Sequence, residues 1–273
     1  MDGFSIVIPV RFASGAAKFC YETLKKHSKL DHEYIFVCDR FTSWQHYKWL
    51  QENNIFYYEN GAVNWYANMN FGASKATKEY IAFFQDDLLV SQDWDINLAK
   101  YLNHNVILTP TYLQGWQIQH DFGFTEIDNK HTQDDFRMDE FNAYCKEYSK
   151  EGMTPDIHGF FPEVIARDTF FKLGGYTTFT KAEKRHIHHE DFLKWRLHNN
   201  GGGDFVVNSS FAYHFPNIFR DHPPLYGLEI NQQGAHYPLV CKKCGYETAG
   251  DTLSEEETNT AGYWGYYVCS KCR

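Results

Sequence analysis

The chain alternates short apolar runs with longer stretches of helical spacing from its first residues. Phe4-Ser-Ile-Val-Ile-Pro-Val10 is apolar and interrupted only by Ser5 and Pro9, Ala16 to Lys26 carries helical spacing, and Glu33-Tyr-Ile-Phe-Val-Cys-Asp39 is a second run. They predict a strand, helix, strand unit. Ser43 to Glu52 places Trp44, Tyr47, Trp49 and Leu50 on a helical pattern, Asn54 to Tyr58 reads as a third strand, Asn70 to Lys78 as a helix, and Tyr80 to Phe84 as a fourth strand. Gly72, Ala73 and Ala76 permit close approach of that helix to a neighbour or a ligand. Ser91 to Tyr101 predicts a further helix and Asn105 to Pro110 a further strand. This alternation predicts an α/β fold built on a mostly parallel, doubly wound sheet.

From Thr111 to Asp156 the pattern degrades into mixed acids, aromatics and polar residues, with Asp134 to Lys150 its helix-like part; it reads as an insertion or lid near the site. Gly159 to Arg167 then predicts a strand leading into a helix over Asp168 to Leu173, which Gly174-Gly175 terminates. Glu190 to Asn199 is the last strong helix, ended by Gly201-Gly202-Gly203, and Asp204 to Asn208 returns as a strand. The expected organisation is a main domain over 1–220 with the 111–156 insertion, a polar linker over 221–236, and a small cysteine-bearing module over 237–273.

Length and composition narrow the classes. With 273 residues the chain can hold one full α/β domain and a small appendage. The balance of 26 basic against 35 acidic residues argues against broad nucleic-acid binding and suits an anionic ligand bridged by a cation. No apolar run is long enough for a membrane span, and Met1-Asp2-Gly3-Phe4 lacks a basic region followed by an apolar stretch, so a cytoplasmic location is expected. Four of the seven cysteines fall as Cys241-Lys-Lys-Cys244 and Cys269-Ser-Lys-Cys272. Two such knuckles predict a closed, structural Zn²⁺ site that supplies folding energy to a module too small to bury a core. Cys20, Cys38 and Cys145 are isolated and are assigned no chemistry.

The chemistry concentrates at Gln85-Asp86-Asp87. Two adjacent carboxylates close the apolar run Tyr80 to Phe84, where a buried strand would continue with Val or Ile. At the carboxyl end of a strand in an open α/β sheet they face the crevice that holds ligands, and paired oxygens suit Mg²⁺ or Mn²⁺ carrying a phosphate; a solvated turn is the plainer alternative. Pro9, Val10 and Arg11 end the first strand and Asp39 the second, on the same edge. Asp39 can accept hydrogen bonds from a nucleoside, or serve as a turn acid before Arg40. No G-x-G-x-x-G follows the first strand and no G-x-x-x-x-G-K-[ST] occurs anywhere, which removes the dinucleotide and P-loop readings and leaves a diphosphate to a metal.

In these motifs the chain resembles inverting glycosyltransferases of family 2, with the GT-A fold, over about residues 4 to 215. Phe4 to Val10 is similar to the family's first strand, Asn68-Met-Asn-Phe-Gly72-Ala-Ser-Lys-Ala76 to its glycine-bearing helix, and Gln85-Asp86-Asp87 to its DxD, with Gln85 in place of the first acid. The resemblance implies Asp87 as a ligand of catalytic Mn²⁺ or Mg²⁺, Asp86 as a ribose or further metal partner, and Asn68, Gly72 and Lys75 on the donor side. His158-Gly159 and Phe170 to Tyr176 resemble the acceptor-side strand and Gly-Gly turn. Glu190-Asp191 resembles the ED motif, which implies Asp191 as the base that deprotonates an acceptor hydroxyl and Glu190 as its orienting partner. By themselves these two acids also suit the positive end of a helix. His214 resembles the C-terminal metal histidine of GT-A enzymes, a structural histidine being the alternative. His186, His188 and His189 read as a solvated or acceptor-facing loop, and Trp65, Tyr66 and Trp116 as core or as sugar-stacking rings.

The reading is a metal-dependent inverting transferase that takes a nucleotide-diphosphate sugar, a UDP-sugar by preference, to a glycan or other hydroxyl acceptor. Its rivals are a non-catalytic nucleotide-sugar or glycan-binding protein on the same fold, a nucleotidyltransferase, whose Gly-rich signature near the first strand is missing, and a zinc-ribbon nucleic-acid binder.

Overall fold

The computed structural model describes residues 2–10, 15–38, 42, 44–60, 65–114, 136–156, 161–178 and 189–214, and residues 239–240 and 247–248 further on. The chain divides into two compact units, Met1–His222 and Pro223–Arg273.

In the first unit the amino-terminal half is a regular strand–helix alternation. It runs β1 (Ser5–Val10), α1 (Gly15–His27), β2 (Glu33–Cys38), α2 (Trp44–Glu52), β3 (Tyr57–Glu59), α3 (Trp65–Ala73) and β4 (Tyr80–Phe83). Every residue of β1 and β4 is buried, as expected of strands covered on both faces. β1 pairs in parallel with β2 and β4, and β2 with β3. Val10 lies beside Cys38, and Cys38 beside Glu59, so the carboxyl ends of these strands open on one edge.

The second half departs from simple alternation. It comprises β5 (Leu88–Val90), α4 (Trp94–Ala99), β6 (Val106–Gln114), α5 (Met138–Tyr148), β7 (Met153–Pro155), β8 (Glu163–Ala166), α6 (Arg167–Lys172), α7 (His189–Asn199) and β9 (Gly203–His214). The sheet order is β3-β2-β1-β4-β8-β6-β9-β5, with β7 on β9. β8 enters antiparallel to both β4 and β6, so the sheet is mixed, its first four strands all parallel. Strand direction carries no periodicity signal, which is why the expected sheet was simpler.

β9 is longer than the expected strand ending at Asn208. It pairs with β6 in one register up to Val207 opposite Pro110, then resumes with Phe211 opposite Thr111. Pro110 has no N–H to give the ladder, and the break falls there. The excluded residues find other partners: Asn208 exchanges backbone bonds with Lys150 and Gly152, Asn97 donates to the Ser209 carbonyl at 2.8 Å, and Ser210 Oγ to the Trp94 carbonyl at 3.0 Å. Beyond the bulge β9 pairs antiparallel with β5, and His214 is its last residue rather than a residue after it.

Four further expectations are corrected. Helix α3 covers Trp65–Ala73 rather than Asn70 to Lys78, since the chain turns at Ser74 and Lys75. The strand expected over Gly159 to Arg167 is confined to β8, and Arg167 already opens α6. Strands β5 and β7 are additional. The described parts of the 111–156 stretch belong to the body of the fold: 111–114 extend β6, and β7 ladders with β9.

The core between α1, α3, α4 and the sheet includes Phe4, Phe36, Phe83, Phe84 and Trp94, all fully buried. Asp95 is buried beside it and accepts the N–H groups of Lys29 and Leu30 at 2.7 Å each and His32 at 3.1 Å. Burial alone would raise its pKa, but these bonds and the Ile96 N–H outweigh burial and hold the carboxyl below its ordinary range. Cys20, Cys38 and Cys145 are buried.

In the second unit the described residues form one antiparallel pair, β10 (Leu239–Val240) with β11 (Glu247–Thr248). Cys241, Cys244, Cys269 and Cys272 lie outside the described residues.

Candidate active site

The acid turn sits where β4 leaves the sheet centre. The Phe84 N–H still donates to Val7 at 2.9 Å, one residue beyond the strand, and the Gln85 carbonyl receives the Cys20 thiol at 3.8 Å from α1. Asp86 and Asp87 follow, both buried. Burial, reinforced by the charges of Asp86 and Asp87, pushes the Cys20 thiol well up, so it stays protonated and does not add to the negative charge.

β5 then carries the chain to the far end of the sheet, where Leu88 lies opposite His214. That register brings Asp87 to the end of β9: its Oδ2 is 3.4 Å from His214 Nε2. The imidazole rests against the Tyr112 ring of β6, centroids 5.7 Å apart. One carboxylate, one imidazole and a second carboxylate at the adjoining residue make a hard oxygen and nitrogen set at the sheet edge. Among the described residues no group of three or more metal-binding side chains converges. The set therefore fits a divalent cation in the form in which the protein supplies one or two ligands and phosphate oxygens and water supply the others.

Of the residues expected to hold the donor, Pro9 and Val10 are buried in β1, and Thr42 donates to the Val10 carbonyl at 2.7 Å. Arg11 and Asp39 lie outside the described residues. Asn68 is buried in α3 and accepts the Asn60 side-chain amide at 2.9 Å, while the Asn60 N–H reaches the Cys38 carbonyl at 2.9 Å, closing the ends of β2 and β3. Gly72 has a packing role: a Cβ there would stand 2.4 Å from Val7 Cγ1 and 3.0 Å from Val37 Cγ2. Lys75 lies over the rings of Tyr58 and Phe71, 5.5 and 5.0 Å from their centroids, at the β3 edge of the sheet. The aromatic residues Trp65 and Tyr66 pack against the core.

The described residues expected on the acceptor side lie around α3, α7 and the Gly-Gly turn. Gly175 is left-handed, φ +64°, and a Cβ there would meet Asn70 Oδ1 at 2.7 Å. Asn70 holds the turn from both sides, accepting the Tyr176 N–H at 2.9 Å and donating to the Tyr176 carbonyl at 2.8 Å. The Tyr176 hydroxyl donates to Glu163 at 2.7 Å. Asp191 is exposed in the first turn of α7. One turn on, Lys194 is buried among Asp156 at 2.6 Å, Glu163 at 3.4 Å and Asp204 at 3.5 Å. Burial opposes its charge, but Glu163, Asp156 and Asp204 outweigh burial and raise its pKa. His198 pairs with Asp204, and Arg196 donates to the Gly175 carbonyl. Among the expected acceptor-side residues, His158, His186, His188 and Trp116 lie outside the described residues, as do the side chains of His189 and Glu190.

The structure thus brings Asp87 to His214, with Asp86 the residue before it in the acid turn. Sequence reasoning missed Thr42, Asn60, Tyr112, Glu163 and Lys194. Their partners come from distant segments, so no local spacing marks them.

A parallel β1–β4 half ending in an acid turn, an antiparallel β8 and a returning β9 make this a GT-A-like α/β fold. It is similar to the crystal structure of GalNAc-T7 with UDP, GalNAc and Mn²⁺, at a TM-score of 0.59 and 16% identity, over 79% of this chain and 44% of that one. The chain belongs to glycosyl transferase family 2, whose family model matches residues 5–152, from β1 through the acid turn into the stretch before β7. It spans less than half the length of the similar structure, and no curated protein matches it in sequence.

Proposed function

We propose that this chain transfers a sugar from a nucleotide-diphosphate sugar to an acceptor hydroxyl, with inversion at the anomeric carbon. The observation that carries the reading is the 3.4 Å approach of His214 to Asp87 beside Asp86, on the edge where the parallel strands end. Asp87 and His214 are the residues that would hold a divalent cation. When bound, that cation supplies positive charge for the departing diphosphate.

The chain's own groups account for the rest. Pro9, Val10 and Asp39 border the nucleoside end, with Thr42 fixing the carbonyl that closes β1, and Asp86 accepts hydrogen bonds from the ribose. Asp191 takes the proton of the acceptor hydroxyl, and the freed oxygen attacks the anomeric carbon from the face opposite the diphosphate. A carbon–oxygen bond forms as the bond to the diphosphate breaks, and the electron pair leaves with the nucleotide. Glu190 orients the acceptor.

UDP and Mn²⁺, present in the similar structure, are the first probes to use. The test is a thermal-shift panel of nucleoside diphosphates and nucleotide sugars with and without Mn²⁺. Stabilisation by one nucleotide only with Mn²⁺, abolished in Asp87→Asn, is expected; no response to any ligand would refute the assignment. For the second unit we propose a structural Zn²⁺ on Cys241, Cys244, Cys269 and Cys272. The β10–β11 pair brackets the first knuckle and supports it. Metal analysis of the full chain should find zinc at about one per molecule.

A further inference from the structure

We propose that Lys194 is a positioning residue that fixes the rotation and register of α7, and so the place of Asp191, against the acid turn. This rests on the reading of Asp191 as the acceptor base.

The apolar contacts of α7 do not supply that specificity. Leu193 and Leu197 are buried against the core, but a two-residue apolar stripe tolerates small rotations and slides. Lys194 is different in kind. Its ammonium, with only 8% of the side chain exposed, is engaged by three carboxylates from three separate segments: Asp156 after β7, Glu163 at the start of β8 and Asp204 in β9. A buried ionic group of this sort is commonly no more stabilising than an apolar residue of the same volume. Register is what it can specify, because one directional hydrogen bond, to Asp156, and two ion pairs, to Glu163 and Asp204, are met together in one placement of the helix.

Its frame of reference is the catalytic edge. Glu163 lies opposite Phe83 in the β4–β8 ladder, three residues before Asp86. The same carboxylate accepts the Tyr176 hydroxyl, and Tyr176 is held by Asn70 of α3. Lys194 therefore ties α7 to the strand beside the acid turn and to the donor-side helix. Arg196 adds a tie to the Gly-Gly turn. The anchor lies three residues, about 4.5 Å of helix rise, from Asp191.

The test is the triple variant Asp156→Asn/Glu163→Gln/Lys194→Met. It removes the lysine's network, keeps a side-chain carbonyl at position 163 to accept the Tyr176 hydroxyl, and leaves Asp204 its His198 partner, so no buried charge loses its only counter-charge. Two readouts are used. Hydrogen exchange should show α7 amides losing at least tenfold protection while β1 and β4 keep theirs. UDP release from UDP-hexoses with Mn²⁺ should show kcat lowered about 10- to 100-fold at unchanged donor KM, with little further loss when the triple variant is combined with Asp191→Asn. Unchanged α7 protection, a wild-type kcat, or an equal fold-loss in both backgrounds would overturn the proposal while leaving the base reading intact. A wild-type rate from Asp191→Asn alone would overturn the base reading and the positioning of it together.

Discussion

Gly72→Ala is the substitution that separates a packing glycine from a ligand-facing one. In α3 the new methyl would lie 2.4 Å from Val7 Cγ1, 3.0 Å from Val37 Cγ2 and 3.4 Å from Val7 Cγ2. Both valines are fully buried on adjacent, paired strands, so neither can swing away and the helix must lift instead. Overpacking of this severity costs about 2–3 kcal/mol. The gain in helix propensity from Gly to Ala returns about 1 kcal/mol. The expected net is a destabilisation of about 1–2 kcal/mol in urea unfolding, read as a lower midpoint at constant slope. Val7→Ala alone should also destabilise by leaving a cavity, but the pair Gly72→Ala/Val7→Ala should be more stable than the sum of the two losses by at least 1 kcal/mol, because each relieves the other. Gly72→Ala within 0.5 kcal/mol of wild type, or additive losses in the pair, would refute this reasoning. If Gly72 instead served a ligand, stability would hold while nucleotide stabilisation disappeared.

Other outcomes follow from the same geometry. His214→Ala should weaken Mn²⁺-dependent stabilisation by a nucleoside diphosphate at least tenfold in apparent affinity while leaving the metal-free melting temperature within a few degrees; an unchanged titration would separate His214 from the metal. Asp95→Asn should cost about 2–3 kcal/mol, since charge-assisted bonds to two backbone N–H groups and His32 are lost, measured by urea unfolding at pH 7. Because the folded-state pKa of Asp95 is depressed, its contribution is present above the unfolded value near 4 and fades as pH falls through the folded value, so the variant should have a flatter acid limb below about pH 4. His46 is held neutral by burial, its pKa lowered to about 4, and His27, whose Nδ1–H donates to the Val90 carbonyl, is lowered in the same sense. Their stabilisation is present above the unfolded value near 6.5 and is lost as pH falls toward the folded values; His46 alone predicts about 2 kcal/mol lost between pH 7 and 5, which His46→Leu should abolish.

The legible parts of the fold were those written locally. β1, β4 and the last four residues of β2 are apolar runs apart from Ser5 and Pro9, and their burial on both faces is what such runs require. The acid pair stood out because it violates that pattern at a strand end, and the spacing of β1 to β4 put it on the right edge. What could not be read depends on pairing at a distance. Leu88-Leu89-Val90 is too short to declare itself a strand, and Ser209-Ser210 interrupts β9 with polar residues whose partners, Asn97 and the Trp94 carbonyl, lie on α4. Lys194 looked like an ordinary helix lysine because its three carboxylates come from positions 156, 163 and 204. Gly72 and Lys75 matched a motif by type, while their neighbours gave them work inside the scaffold.

The pairing of β5 with β9 also has a bearing on how the molecule comes into being. Residues 5 to 83 form neighbouring strands and helices that can associate as they leave the ribosome, because each closes a short loop. Among the described residues β5 ladders with β9, so Asp87 meets His214 only after the chain has been synthesised through its ninth strand. An interrupted product ending before that strand would carry the acid turn without the imidazole that Asp87 meets. On the proposed reading, nascent and truncated chains would lack a cation ligand, and catalytic competence would coincide with completion of the sheet.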